Sequence, residues 1–272
     1  MKIKIRSERI SKMLFLRQFF FVAIASAGLH HEALAASSKA HRKVSPSVPS
    51  ASATASPQVA PTVPPVWEFA LKPEDSVFAI VTRKKGVASA FAHNHFIAAR
   101  QFDAKLKADP SQLNKGEFQF KTKAADLEVD RSDLQKRWFP VVQSMGWLAQ
   151  PFESLSDSNR ETIRENMLDE GQLNERKFPE ITARVEKISD TPATVGEKKF
   201  SKQATVAITI RGATVTREFA TNLTLQGQEL LAEAAGTLKF SDFGITPYSA
   251  MMGAVGNEDT FALLVNFRAV KK

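Results

Sequence analysis

From Trp67 to the C-terminus, segment after segment of the chain alternates apolar and polar residues with a period of two, a pattern that few folds accept. In Val77–Thr82, Val77, Ala79 and Val81 alternate with Phe78, Ile80 and Thr82. Phe118 and Phe120 alternate with Glu117, Gln119 and Lys121, and Ile181, Ala183 and Val185 with Thr182, Arg184 and Glu186. Val206-Ile208-Ile210 and Phe219-Thr221-Leu223-Leu225 flank a hairpin signal near Arg211-Gly212. Segments 102–107 and 229–240 add to the set, and the last, 261–270, carries Phe261, Leu263, Val265 and Phe267 on one side. Successive strand side chains point to opposite faces, so such a segment is expected to turn one apolar face inward. Eight or nine such strands with short polar turns describe an antiparallel sheet that curls and closes. The predicted fold class is all-β, an eight-stranded antiparallel barrel. At that strand number the interior is filled by side chains or holds one small ligand.

The residues before position 66 read differently. Lys2, Lys4, Arg6, Arg9, Lys12 and Arg17 precede a short apolar run at 19–29, and Ala33-Leu34-Ala35 supplies a small-x-small cleavage pattern. Residues 1–35 are expected to be a secretory signal peptide, with an apolar core too short to span a membrane. The chain has no cysteine, which excludes lipoprotein anchoring, disulfides and thiolate chemistry. No Arg-Arg pair precedes the apolar run, so the expectation is ordinary unfolded export, with a bacterial periplasm as the compartment. Residues 36–65 are rich in Ala, Ser and Pro and read as a disordered or semi-stiff linker, leaving 66–272 as the barrel domain.

Charge argues against a nucleic-acid partner. The formal net charge is +8, but the leader holds six basic and two acidic side chains and the linker adds Lys39, Arg42 and Lys43. Residues 66–272 keep 28 basic and 27 acidic groups, too even a balance for a field that tracks phosphates.

One segment breaks the period of two. Ser158-Asn159-Arg160-Glu161 has the spacing of a capping box, with Ile163 and Met167 following at i and i+4. This predicts a short helix over 159–168, stopped near Gly171, that plugs or covers one barrel end. Ahead of it, Trp138, Phe139 and Trp147 lie in a loop-like setting. They either form a mobile lid or a transient membrane-contact loop, or pack under the helix as a satellite core.

The body of the protein has two histidines, His93 and His95, in the run Phe91-Ala92-His93-Asn94-His95-Phe96-Ile97. On a strand they share one face with Cβ atoms roughly 7 Å apart. As a metal half-site they would need a carboxylate such as Asp103 or Asp242, since no other histidine or cysteine is available. Otherwise they line a pocket or make buried structural hydrogen bonds. No G-x-S-x-G turn, P-loop or G-x-G-x-x-G is present, so neither a catalytic constellation nor a cofactor is expected.

A series of motifs carries a family resemblance. Arg160, Glu161, Arg164, Asn166-Met167-Leu168, Leu173 and Phe178-Pro179-Glu180-Ile181 come first. Ile208 to Thr214 and then Gly236 to Ile245 follow in order. Together, over roughly residues 67–270, they resemble the YceI-like family of exported polyisoprenoid-binding proteins. The resemblance implies a lipocalin-like barrel with a helix near its mouth and an elongated apolar cavity for an isoprenoid-like chain, and it implies no catalytic residue. Two departures stand out: Ala92-His93-Asn94-His95 replaces a single histidine, and 131–155 is longer and more aromatic than usual. The expectation is therefore a periplasmic carrier for an isoprenoid or fatty-acid-like ligand. His93, His95, Phe91, Trp138, Phe139, Trp147 and Phe243 are its candidate binding residues. A metal-dependent enzyme using His93, His95 and Asp242, or a structural or partner-binding barrel, are the alternatives.

Overall fold

The computed structural model describes residues 65–272. The expected leader, and all but the last residue of the expected linker, lie outside the described residues. Eight antiparallel strands follow one another around a closed barrel, and the first three are each broken into two arms. They are β1 (Trp67–Leu71 and Val77–Thr82), β2 (His95–Ala99 and Asp103–Ala108) and β3 (Glu117–Lys123 and Leu127–Val129). Next come β4 (Glu180–Ser189), β5 (Lys202–Ile210), β6 (Ala213–Gln226), β7 (Glu229–Lys239) and β8 (Thr260–Lys271). β8 closes the barrel by pairing with both arms of β1, through Phe69↔Lys271 at one end and Phe78↔Val265 further along. The breaks fall at Pro73–Asp75, at 100–102 and at Ala124–Asp126. They bend the sheet where it has to curve to close.

The alternation places side chains as predicted. Phe261, Leu263, Val265 and Phe267 of β8 face inward, as do Ile181, Ala183 and Val185 of β4 and Val206, Ile208 and Ile210 of β5. The β5–β6 hairpin turns through Arg211 and Gly212, both at positive φ (52° and 76°), the sign that a two-residue turn matched to strand twist requires. Gly236 of β7 lies against the buried Phe219 ring, where a Cβ would stand 2.6 Å from a ring carbon. Gly236→Ala is expected to destabilise the barrel by about 1–3 kcal/mol through that overpacking. Urea unfolding measures it, and an unchanged midpoint would mean that the Phe219 ring has room to move.

Two differences concern helices. Residues 131–155, expected as a loop, contain α1 (Ser132–Ser144), which buries Gln135, Trp138 and Val142. With Met145 these residues recur at three- and four-residue spacing, the stripe of an amphipathic helix. Pro140 sits inside it, and a proline there normally ends a helix, which is why the segment reads as irregular. α2 (Asp157–Leu168) begins earlier than the capping-box reading: the Ser156 hydroxyl, not that of Ser158, accepts the Asn159 amide at 3.2 Å.

α1 lies on the outside of the barrel. Trp138, Val142, Met145 and Leu148 pack on Val77, Ala79 and Val81 of β1, Phe96 and Ala98 of β2, Ala235 of β7 and Ala262 and Leu264 of β8. A hairpin of Ala193–Val195 and Lys198–Phe200 adds Phe200 to the same layer. These strands therefore carry apolar residues on both faces, one toward the interior and one toward this external core.

Candidate functional site

The interior is hollow over part of its length. At the floor, Phe69, Leu106, Leu230 and Ala269 are closely packed and almost wholly buried. Above them Ala104, Ala183, Ala204, Ala232 and Ala234 line a cavity of about 240 Å³. One water needs only about 10–15 Å³, so this space is of ligand size. Where a longer side chain would meet its neighbour across the barrel, alanine leaves a gap. That is the local cause of the hollow. Phe78, Phe102, Phe120 and Phe267 form an aromatic patch at its edge, with Phe78 and Phe120 stacked at 4.2 Å.

Its lining is overwhelmingly apolar. Two buried hydroxyls that border it, those of Thr122 and Thr221, already donate to backbone carbonyls, at 2.6 Å to Gln101 and 3.0 Å to Phe219. Glu233 also borders the cavity, but its carboxylate accepts hydrogen bonds from Lys198, Asn222 and Asn266. Such a wall offers a guest contact and exclusion of water rather than hydrogen bonds.

The end of the cavity where β4 begins is covered by Met167 of α2, by Gln172 and Leu173 just beyond it, and by Phe240, Phe243 and Ile245. α2 buries none of its residues fully, and polar tethers hold it. Arg164 donates to the carbonyls of Ala125 (2.6 Å) and Leu127 (3.2 Å), and Arg211 donates to those of Gly244 (2.7 Å) and Glu170 (3.1 Å). Arg164→Ala removes two charge-assisted hydrogen bonds from this cover. Ligand exchange is expected to accelerate by roughly tenfold or more. Stopped-flow release of a fluorescent lipid reads this, and an unchanged rate would place the exit elsewhere.

Of the residues singled out from sequence, Phe243 borders this cavity. His93, His95, Phe91, Trp138, Phe139 and Trp147 do not. Trp138 is buried in the external core, and Phe139 and Trp147 pack half-buried against it, because the segment is a helix laid on the outer wall rather than a loop at the mouth. Phe91 is exposed on a loop tip. The histidines do not share a strand, since β2 starts at His95, and their ring centres are 6.4 Å apart.

His95 has a structural partner instead. Its Nδ1 lies 2.6 Å from Oδ2 of Asp130, a buried carboxylate that also accepts from the Phe96 amide (2.7 Å) and from Gln135 of α1 (2.9 Å). This group joins β2, the end of β3 and the first turn of α1. Nearby, Lys84 reaches Glu153 at 2.5 Å. Burial raises the Glu153 carboxyl, but the Lys84 hydrogen bond and backbone amides outweigh it and hold the group below the ordinary carboxylate range. Asp242, the third member of the metal reading, is engaged 3.1 Å from Arg217, and Asp103 opens the second arm of β2. Among the described residues no three of His, Cys, Asp and Glu come together as a metal site.

The inward alanines are the residues that sequence reasoning passed over. Their signal is parity: Ala104 falls between Phe102 and Leu106, and Ala183 between Ile181 and Val185, on the inward side of a strand, while β7 puts Ala232 and Ala234 in succession there.

No curated protein matches the chain. Among solved structures, BcnA of Burkholderia cenocepacia is similar at 14% identity and a TM-score of 0.49, over 73% of this chain and 99% of that one. A polyisoprenoid-binding domain from Saccharophagus degradans gives 8% identity and a TM-score of 0.46, over 76% and 99%. The YceI protein of Campylobacter jejuni gives 13% and 0.42, over 65% and 84%. The YceI-like domain family model matches residues 69–267, well over half of the sequence and from within the first strand of the barrel to within its last. The chain belongs to the YceI-like family.

Proposed function

We propose that the barrel holds the apolar chain of an isoprenoid or similar lipid and carries it through the periplasm. The observation that carries this reading is the alanine-lined hollow, whose wall is almost wholly apolar. Each methylene withdrawn from water contributes about 0.8 kcal/mol. A chain of ten carbons would therefore gain roughly 8 kcal/mol before the cost of ordering it. The leader reading of residues 1–35 supports the compartment, an aqueous space in which a long lipid cannot move unaided. Family membership points the same way.

Mass spectrometry of organic extracts from the purified protein tests the reading. A lipid of defined chain length should co-purify in near-stoichiometric amount. A protein that carries none, and takes up none from a fluorescent isoprenoid analogue, would sink the proposal.

A further inference from the structure

The described residues contain six exposed large apolar side chains, and five of them belong to two loops at the barrel end where α2 lies. Val87 and Phe91 project from the loop after β1, and Tyr248, Met251 and Met252 from the connection between β7 and β8. The two loops are zipped together. Lys84–Lys85, Ser249–Ala250 and Val255–Asn257 form a small three-stranded sheet, and the Ala88 amide donates to the Ala254 carbonyl at 2.9 Å. Gly86 permits the approach, since a Cβ there would stand 2.3 Å from that same carbonyl oxygen.

The backbone at the tip is strained. Met251 and Met252 both occupy the left-handed region, at φ of 50° and 55°, a conformation that glycine or asparagine adopts more readily. Strained backbone and full exposure of Val87 (99%) and Met252 (106%) gain no packing contact among the described residues. Residues 83–92 and 246–257 contain Arg83, Lys84 and Lys85 and no acidic residue. Arg83 and Lys84 pair with Glu258 and Glu153, while Lys85 is exposed and forms no ion pair among the described residues, its charge reaching Asp259 only at longer range.

We propose that this double-loop finger is a membrane-docking tip that inserts Val87, Phe91, Met251 and Met252 into the interface of an anionic bilayer. Fully exposed apolar side chains at the tips of two joined loops, beside an exposed lysine, suit insertion among lipids better than mating with a protein. Lys85 at the base meets anionic head groups, and Tyr248, half-exposed, sits at the depth favoured by amphipathic rings. The same connection that carries the methionines contributes Phe240, Phe243 and Ile245 to the cavity wall. Docking would thus bring the cavity mouth to the lipid surface.

The chain contains no cysteine, so a single Met252→Cys accepts one environment-sensitive dye. The full-length protein is mixed with vesicles of phosphatidylcholine, with and without phosphatidylglycerol. A probe at 252 should shift to the blue with anionic vesicles, whereas a probe at Gln228→Cys, on the opposite hairpin, should keep its aqueous wavelength. Val87→Asp with Phe91→Asp should weaken the response by roughly tenfold or more, and Lys85→Glu should weaken it selectively for anionic vesicles. Each dye reports only its own surroundings, so the apolar run at 19–29 does not enter the reading. The vesicles hold no cargo, so the outcome is independent of what the barrel binds. A probe at 252 that never shifts overturns the proposal and leaves the tip to a protein partner. Equal shifts at 252 and 228 overturn it as well.

Discussion

Ala234→Trp is expected to abolish uptake of the proposed lipid and to leave the fold standing. Ala234 faces the cavity from β7 and is itself only partly buried, so an indole placed there enters vacant space without displacing a packed neighbour. An indole excludes roughly four or five methylenes of a bound chain, or about 3–4 kcal/mol, which is a loss of roughly 300-fold in affinity. Titration with a fluorescent isoprenoid analogue measures the loss, and a thermal melt on the same sample checks the fold. Undiminished binding by a folded Ala234→Trp protein would show that the chain lies outside the barrel.

The second large effect is on stability. Asp130→Ala deprives two buried donors, the Phe96 amide and the Gln135 side chain, of their acceptor and strands His95. Each orphaned donor costs about 1–3 kcal/mol. Asp130 also sits at a φ of 53°, where alanine is strained by about 1–2 kcal/mol more than a residue that can bond locally. The expected loss is about 4–5 kcal/mol, a large part of what holds a domain of this size together. Asp130→Asn keeps an acceptor and the tolerance for positive φ and should lose about half as much. Guanidinium unfolding distinguishes the two. A near-wild-type midpoint for Asp130→Ala would mean that α1 docks through its apolar stripe alone.

The period of two was enough to read the barrel and its inward face from the sequence, because a strand admits only two directions for its side chains. The external core was partly written there too. Val77 to Val81 and Ala262 to Val265 are apolar on both faces, which a single-walled barrel in water would not tolerate. The covering element escaped notice because Pro140 and a cluster of aromatics disguise α1. His95 drew attention through rarity, and its meaning depends on Asp130, 35 residues away and brought near only by the pairing of β2 with β3. The cavity depends on which alanines meet across the barrel, and strand register decides that.

The cladding by α1 divides the barrel into unequal halves. β1, β2, β7 and β8 are braced from behind by a second apolar layer, whereas β3 and β4 turn residues such as Lys121, Arg184 and Glu186 directly to solvent. A wall with close packing on both sides resists displacement, and one backed only by water yields more readily. A guest too thick for the resting hollow would therefore swell the barrel in one direction, toward β4, while the braced half stays in place as a fixed anvil.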